Sequence, residues 1–224
     1  AKVLGILLPL SITQVKETLQ ALISRTKTKT VKLNLYLSAG DKEEASSGFV
    51  FRNPKLISVI RPYNHHAATP VHLCIDRLDH HPHPLACHKS LSYAPYILVQ
   101  QKHAPKTALI TSPDGHILES PTAAVCCIKD KTLIFPKIDA SAHHYRLSSV
   151  SEAVIKTHAS DWGFTIHDRP IHWDDLKTMD EIFCCNAVQG IIPVTDIQGY
   201  DENLSLTSRV MVETLVSHWD ALLR

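Results

Sequence analysis

Two hydrophobic periods alternate along this chain, and that alternation most narrows the folds open to it. Val31, Leu33, Leu35 and Leu37 are separated by Lys32, Asn34 and Tyr36, a period of two that puts the apolar side chains on one face of a strand. Just upstream, Val15, Leu19, Leu22 and Ile23 recur at helical spacing. They follow Ser11-Ile-Thr-Gln14, a capping box whose serine and glutamine satisfy N–H groups that a helix start leaves open. Repeated switching between the two periods predicts a mixed α/β (α+β) fold rather than either class alone. Further strands are expected at 48–51, 56–60, 71–75, 107–111, 117–118, 123–128, 132–135, 164–167, 181–185 and 191–194. Helices are expected at 91–101, 149–162, 173–179 and 206–223, with Pro95 delaying or kinking the first and Ser149-Val-Ser-Glu152 forming a second capping box. The alternation fades at Ala39, and the charged stretch after Gly40 reads as a loop. Pro62, Pro70, Pro82 and Pro84 then punctuate the chain. A connection at 81–88 is therefore expected to divide a small α/β domain, 1–80, from a larger one, 89–224.

The chain has 224 residues, enough to bury a sizeable core. Its 44% hydrophobic and 20% charged residues are the balance of a soluble globular protein. A formal charge of +1, with no basic block beyond the Lys27-Thr28-Lys29 alternation, argues against a nucleic-acid partner. Near the start, the apolar stretch from Val3 to Leu10 is interrupted by Gly5 and Pro9 and is too short to span a bilayer. It also lacks the charged start and cleavage site of a secretory leader, so a cytoplasmic protein with no membrane partner is expected. Six cysteines include the adjacent pairs Cys126-Cys127 and Cys184-Cys185 in apolar runs. Without C-x-x-C spacing they read as reduced, structural thiols. Of fifteen histidines, His80, His81, His83 and His88 crowd into one Pro-rich stretch. Its prolines favour extended, irregular backbone and no ligand spacing recurs, so it reads as a solvated loop and no metal is expected.

Three features could carry chemistry. Lys89 follows the His/Pro loop and precedes an apolar stretch; it is either a surface charge or, in a low-dielectric pocket, a nucleophile. Glu119 lies between the strand at 117–118 and the small residues Ser120-Pro-Thr-Ala-Ala124, as a turn former or as a charge aimed into a cleft. The helix start at Ser149 offers backbone N–H groups and a positive dipole end suited to a phosphate, as every capped helix does.

Their order along the chain resembles the class IV aminotransferase and aminodeoxychorismate lyase family. Asp180-Glu-Ile-Phe-Cys-Cys-Asn-Ala-Val-Gln-Gly-Ile-Ile-Pro-Val194 is similar to that family's C-terminal signature of an acidic pair, a short strand, Asn-Ala or Asn-Ser and a closing Pro-Val. Arg77-Leu78 and Pro82-His83, leading through Leu85-Ala86 to Lys89 and Leu91, resemble the loop that delivers the cofactor lysine. Asp114-Gly115 through Glu119 resembles the family's Asp-Gly, Glu and small-residue segment. Phe135-Pro136, Ile138 and Asp139, then Gly163 and Arg169-Pro170-Ile171, complete the order. The resemblance runs from about Gly5 to the C-terminus.

It implies a two-domain fold type IV enzyme, a homodimer with pyridoxal 5'-phosphate in the cleft between its domains. Lys89 would carry the cofactor through its ε-amine and serve as general base and acid. Glu119 would face the pyridine nitrogen, Ser149, Val150 and Ser151 would receive the phosphate, and Asn186 and Ala187 would line that end. The Cys-Asn-Ala step and the approach to Lys89 fit best the lyase branch, which releases pyruvate from 4-amino-4-deoxychorismate to give 4-aminobenzoate for folate synthesis. A class IV aminotransferase acting on D-amino or branched-chain acids, and a member that binds without turnover, are the alternatives. The chain departs from the family in four places. It opens in what resembles the middle of the first domain, so the front is expected to be truncated. Glu152 stands where the phosphate turn has arginine. Ala124 replaces a usual Asn, and the loop Ala140–Leu147 carries extra residues.

Overall fold

Ser11 caps the first helix as its sequence predicts: its Oγ accepts from the Gln14 N–H at 3.2 Å, and the Gln14 side chain accepts from the Ser11 N–H at 2.9 Å. Both halves of the capping box are present, and helix α1 runs Ile12–Ser24. This computed structural model describes residues 1–28, 30–46, 48–64, 68–199 and 202–223. They form two compact units, Ala1–His66 and Ala67–Arg224.

In the first unit, strand β1 (Val31–Leu37) pairs antiparallel with β4 (Leu56–Pro62), from Val31 opposite Pro62 to Leu37 opposite Leu56. Between them, β2 (Asp41–Ala45) and β3 (Gly48–Arg52) form an antiparallel hairpin. The sequence reading made the β2 stretch a loop, and the structure corrects it. Asp41-Lys-Glu-Glu44 has no apolar period to read, yet it pairs residue for residue with β3. Cross-strand polar contacts add to that ladder: Arg52 Nε donates to Glu43 at 2.5 Å and Asn53 Nδ2 to Asp41 at 3.1 Å.

The second unit is built on one nine-stranded sheet. Its strands are β5 (Val71–Arg77), β6 (Thr107–Thr111), β7 (Ile117–Glu119), β8 (Ala124–Lys129), β9 (Thr132–Pro136), β10 (Thr165–Arg169), β11 (Glu181–Asn186), β12 (Gly190–Gln198) and β13 (Asn203–Ser205). The spatial order is β10-β9-β8-β11-β12-β5-β6-β7, with β13 on β12. The sheet curls enough that β7, at one end of this order, also meets β8 and β9. The sequence reading put residues 71–75 before the 81–88 connection; here β5 lies inside this sheet, between β12 and β6. Helices α2 (Ala94–His103), α3 (Val150–His158) and α4 (Val210–Leu222) complete the unit. Pro95 occupies the first turn of α2, which explains its later start than the apolar run suggests.

Strand alternation sorts the side chains into two cores. Leu73, Leu109, Ile117, Val125, Cys127, Ile182 and Cys184 face one side, closed by Ile171, Leu176 and Met179. Cys126, Phe135, Phe183 and Cys185 face the other, beneath Ile155 of α3 and Val212, Leu215 and Trp219 of α4. Each adjacent cysteine pair therefore sends one thiol to each face, and none of the six cysteines is disulfide-bonded. Burial pushes the Cys127 and Cys184 thiols up to about 12, which keeps them protonated and inert. Helix α4 has no side-chain cap of its own at Arg209. The buried Glu181 carboxylate of β11 substitutes, accepting from the Val212 N–H at 2.8 Å, the Met211 N–H at 3.1 Å and the Ser208 hydroxyl at 2.7 Å.

Candidate active site

Glu119 ends β7 with its side chain buried. One carboxylate oxygen accepts from the Tyr96 hydroxyl of α2 at 2.9 Å, and the other from the Leu147 N–H at 3.2 Å. Burial raises its pKa; the bonds from Tyr96 and Leu147 and the charges of Arg146 and Lys89 offset only part of that. Lys89 is exposed on the segment between the short 3-10 turn Pro84–Cys87 and α2. Its Nζ lies 5.7 Å from the centroid of the Tyr93 ring, and that ring stacks on Tyr96 with centroids 5.2 Å apart. Helical spacing explains the pair, since Tyr93 precedes the first turn of α2 and Tyr96 lies three residues on. Burial, then the neighbouring Glu119 charge, raises both phenols, so each remains a donor at neutral pH. The structure thus brings the lysine and the carboxylate into one neighbourhood bridged by two tyrosines. Sequence reasoning missed both tyrosines, though their spacing after Lys89 was visible.

Ser149 is the N-cap of α3, and its Oγ accepts from the Glu152 N–H at 3.3 Å. The second half of the expected capping box does not form. The Glu152 carboxylate turns instead to Arg146, whose Nη1 and Nη2 reach its two oxygens at 2.7 and 2.9 Å while Nε donates to the Pro136 carbonyl at 2.7 Å. Lys156 adds a contact at 2.7 Å. Burial alone would raise Glu152, but these partners more than offset it and hold the carboxyl below its ordinary range. The carboxylate that stands where the resemblance calls for arginine is therefore paired inside the protein. Arg146, from the extra loop, supplies the opposite charge and was also missed.

Val150 is 73% exposed and Ser151 is buried. Both sit in the first helical turn, where backbone N–H groups have no intrahelical acceptor. Leu147, which holds Glu119, is two residues before the Ser149 cap, so one short stretch serves both. Asn186 ends β11, and its Oδ1 accepts from the Val188 and Gln189 N–H groups at 3.0 and 2.8 Å. It shapes the hairpin turn in which Ala187 is exposed. The side-chain hydrogen bonds found for Asn186 stay within that turn.

The profile of the family described as amino-transferase class IV matches residues 1–197. The chain belongs to that family. Its class IV fold recurs in solved structures of low sequence identity. A provisionally assigned 4-amino-4-deoxychorismate lyase from Legionella pneumophila superposes with a TM-score of 0.84 at 20% identity, covering 99% of this chain and 81% of that one. An aminotransferase from Brucella abortus, bound to pyridoxal phosphate, gives 0.83 at 14% identity, covering 100% and 80%. The branched-chain amino acid aminotransferase of Escherichia coli gives 0.82 at 16% identity, covering 99% and 74%. A curated branched-chain-amino-acid aminotransferase from Pseudomonas aeruginosa is 24% identical over 92 residues, 41% of this chain and 28% of that relative's length. Class IV membership makes pyridoxal 5'-phosphate the cofactor to test against the site, and the residues present fit it. A buried carboxylate with a raised pKa gains from a cationic N–H partner, and with two bonds accepted it retains lone pairs to receive one.

Proposed function

We propose that this class IV chain is a pyridoxal-phosphate-dependent lyase of the aminodeoxychorismate lyase type, releasing pyruvate from 4-amino-4-deoxychorismate to leave 4-aminobenzoate. One observation carries the reading: the Lys89 amine and the buried Glu119 carboxylate share a neighbourhood organised by Tyr93 and Tyr96. When bound, the cofactor supplies an electron sink for charge developing on the substrate. Lys89 holds the cofactor through Nζ and then takes and returns the substrate's α-proton. Glu119 holds a proton at the pyridine nitrogen, and Tyr96 and Leu147 fix the carboxylate for that task. The first-turn N–H groups of Val150 and Ser151, beside the Ser149 cap, receive the phosphate, with Asn186 and Ala187 at the same end. The enzyme works as a cytoplasmic homodimer. Among the described residues no helix is long and apolar enough to cross a membrane.

A class IV aminotransferase acting on branched-chain or D-amino acids is the second reading, and the curated branched-chain relative favours it. Purified full-length protein incubated with the cofactor and 4-amino-4-deoxychorismate separates the two. The lyase releases pyruvate with no keto acid added, whereas an aminotransferase turns over only when one is supplied. Lys89→Ala is expected to lose the visible absorption band that wild type shows with the cofactor. A wild-type protein that stays colourless in excess cofactor overturns both readings and leaves a binding role.

A further inference from the structure

Away from the lysine and glutamate, three other donor groups converge. Asp114 lies in the turn between β6 and β7, His116 two residues further on, and His144 on the extra loop. That loop closes on itself: the Asp139 side chain accepts from the Ser141 N–H at 2.9 Å and from its hydroxyl at 2.6 Å, and Asp139 and His144 exchange backbone bonds. The closure delivers His144 with its side chain only 4% exposed. Asp114 Oδ2 lies 3.1 Å from His116 Nδ1 and 3.0 Å from His144 Nε2, and one donor atom from each residue lies within 4.8 Å of the others. His116 Nδ1 is shielded from water and, despite that proximity, makes no hydrogen bond. The His116 and His144 rings are 4.4 Å apart; His172 lies 5.5 Å from His116 and His81 lies 6.3 Å from His144.

Hydrogen bonding accounts for only part of this arrangement: the Asp114 carboxylate pairs with His144 Nε2 and accepts from the Ser112 hydroxyl, yet His116 Nδ1 is left without a partner. Neutral imidazoles leave a buried nitrogen unsatisfied, and two cationic ones at this separation repel. A divalent ion between them satisfies both rings and the carboxylate. We infer that Asp114, His116 and His144 form a three-ligand site for a divalent transition-metal ion of the zinc class. Two imidazoles and one carboxylate suit zinc, whereas magnesium and calcium prefer all-oxygen donors. Tetrahedral zinc with bonds of about 2.0–2.2 Å needs donors roughly 3.3 Å apart. Asp114 already stands near that distance from each histidine, so only the two ring nitrogens need to adjust. A solvent molecule completes the coordination, or His172 or His81 after a side-chain rotation. The donor set differs from the crowded histidines at 80–88, sharing only His81 at its margin. The ion would pin the loop three residues before Leu147, whose N–H holds Glu119, so the site is structural and takes no direct part in the reaction.

The test uses untagged full-length protein, stripped with chelator and dialysed. Zn2+ is followed by titration calorimetry, Co2+ by visible absorption and Mg2+ as a control. Expected are one equivalent of Zn2+, Co2+ bands of four-coordinate intensity, and a rise in the melting temperature with Zn2+ but not with Mg2+. His116→Ala and Asp114→Asn, both at partly exposed positions, should each weaken binding by more than the roughly tenfold that even an outer partner of a metal ligand commands. The triple variant His80→Ala, His83→Ala, His88→Ala should bind as wild type does. No Zn2+ uptake, uptake that survives both single substitutions, or uptake lost in the triple variant each overturns the site.

Discussion

The two units read alike in sequence and differ in depth. In Ala67–Arg224 the central strands carry side chains wholly out of water, among them Leu73, Leu109 and Phe183. In Ala1–His66 no described residue is buried, although β1 alternates as cleanly as any strand in the chain. A period of two therefore reports which face of a strand is apolar, and the number of layers stacked on that face decides how far it leaves water. The second unit covers both faces of its sheet, one with the segment around Ile171–Met179 and the other with α3 and α4.

Five substitutions probe the contrast. Glu152→Gln leaves the Arg146 guanidinium buried without its counter-charge and should cost about 3–5 kcal/mol at neutral pH, measured by urea unfolding. Its sign with pH is fixed by the lowered carboxyl: wild type holds this stability above the ordinary glutamate range and loses it as pH falls through the depressed value. The difference between variant and wild type should therefore shrink on acidification; a gap that widens breaks the assignment. Leu109→Ala, at a fully buried position of β6, should cost about 3 kcal/mol, against about 1 kcal/mol or less for Leu35→Ala, at a position 41% exposed in β1. Equal losses would erase the distinction between the units. Glu181→Gln removes one acceptor oxygen from the start of α4 and should cost about 2 kcal/mol, with amide exchange accelerated first at Met211 and Val212. Ser11→Ala should cost about 1 kcal/mol or less, visible as faster exchange in α1 alone.

Most strands and the starts of α1 and α3 were legible because their signals are local, in the period or the cap. Failures came where no apolar period marks the element or where what holds it lies outside the local pattern. The hairpin strand Asp41–Ala45 has no apolar face to read. Strand β13 is held by pairing with β12, and α4 starts at Val210 rather than 206 because its cap is the remote Glu181. At the site, the order of motifs along the chain singled out Lys89 and Glu119, but Tyr96 and Arg146 belong there only through contacts that span 23 residues to Glu119 and six to Glu152. Glu152 looked like half of a capping box because its spacing from Ser149 is right, and only the guanidinium pocket shows why its side chain turns elsewhere.

The split of each neighbouring cysteine pair across the large sheet has a practical consequence. A thiol reagent added to native protein meets Cys74 and Cys87, both partly accessible, before any of the other four. Those four react only when the layers above and below the strands separate. Because each pair has one sulfur under α3 and α4 and one beneath the 171–179 segment, fragmentation of the labelled peptides, which assigns the label to one sulfur of each pair, times the opening of the two faces independently, with no engineered probe.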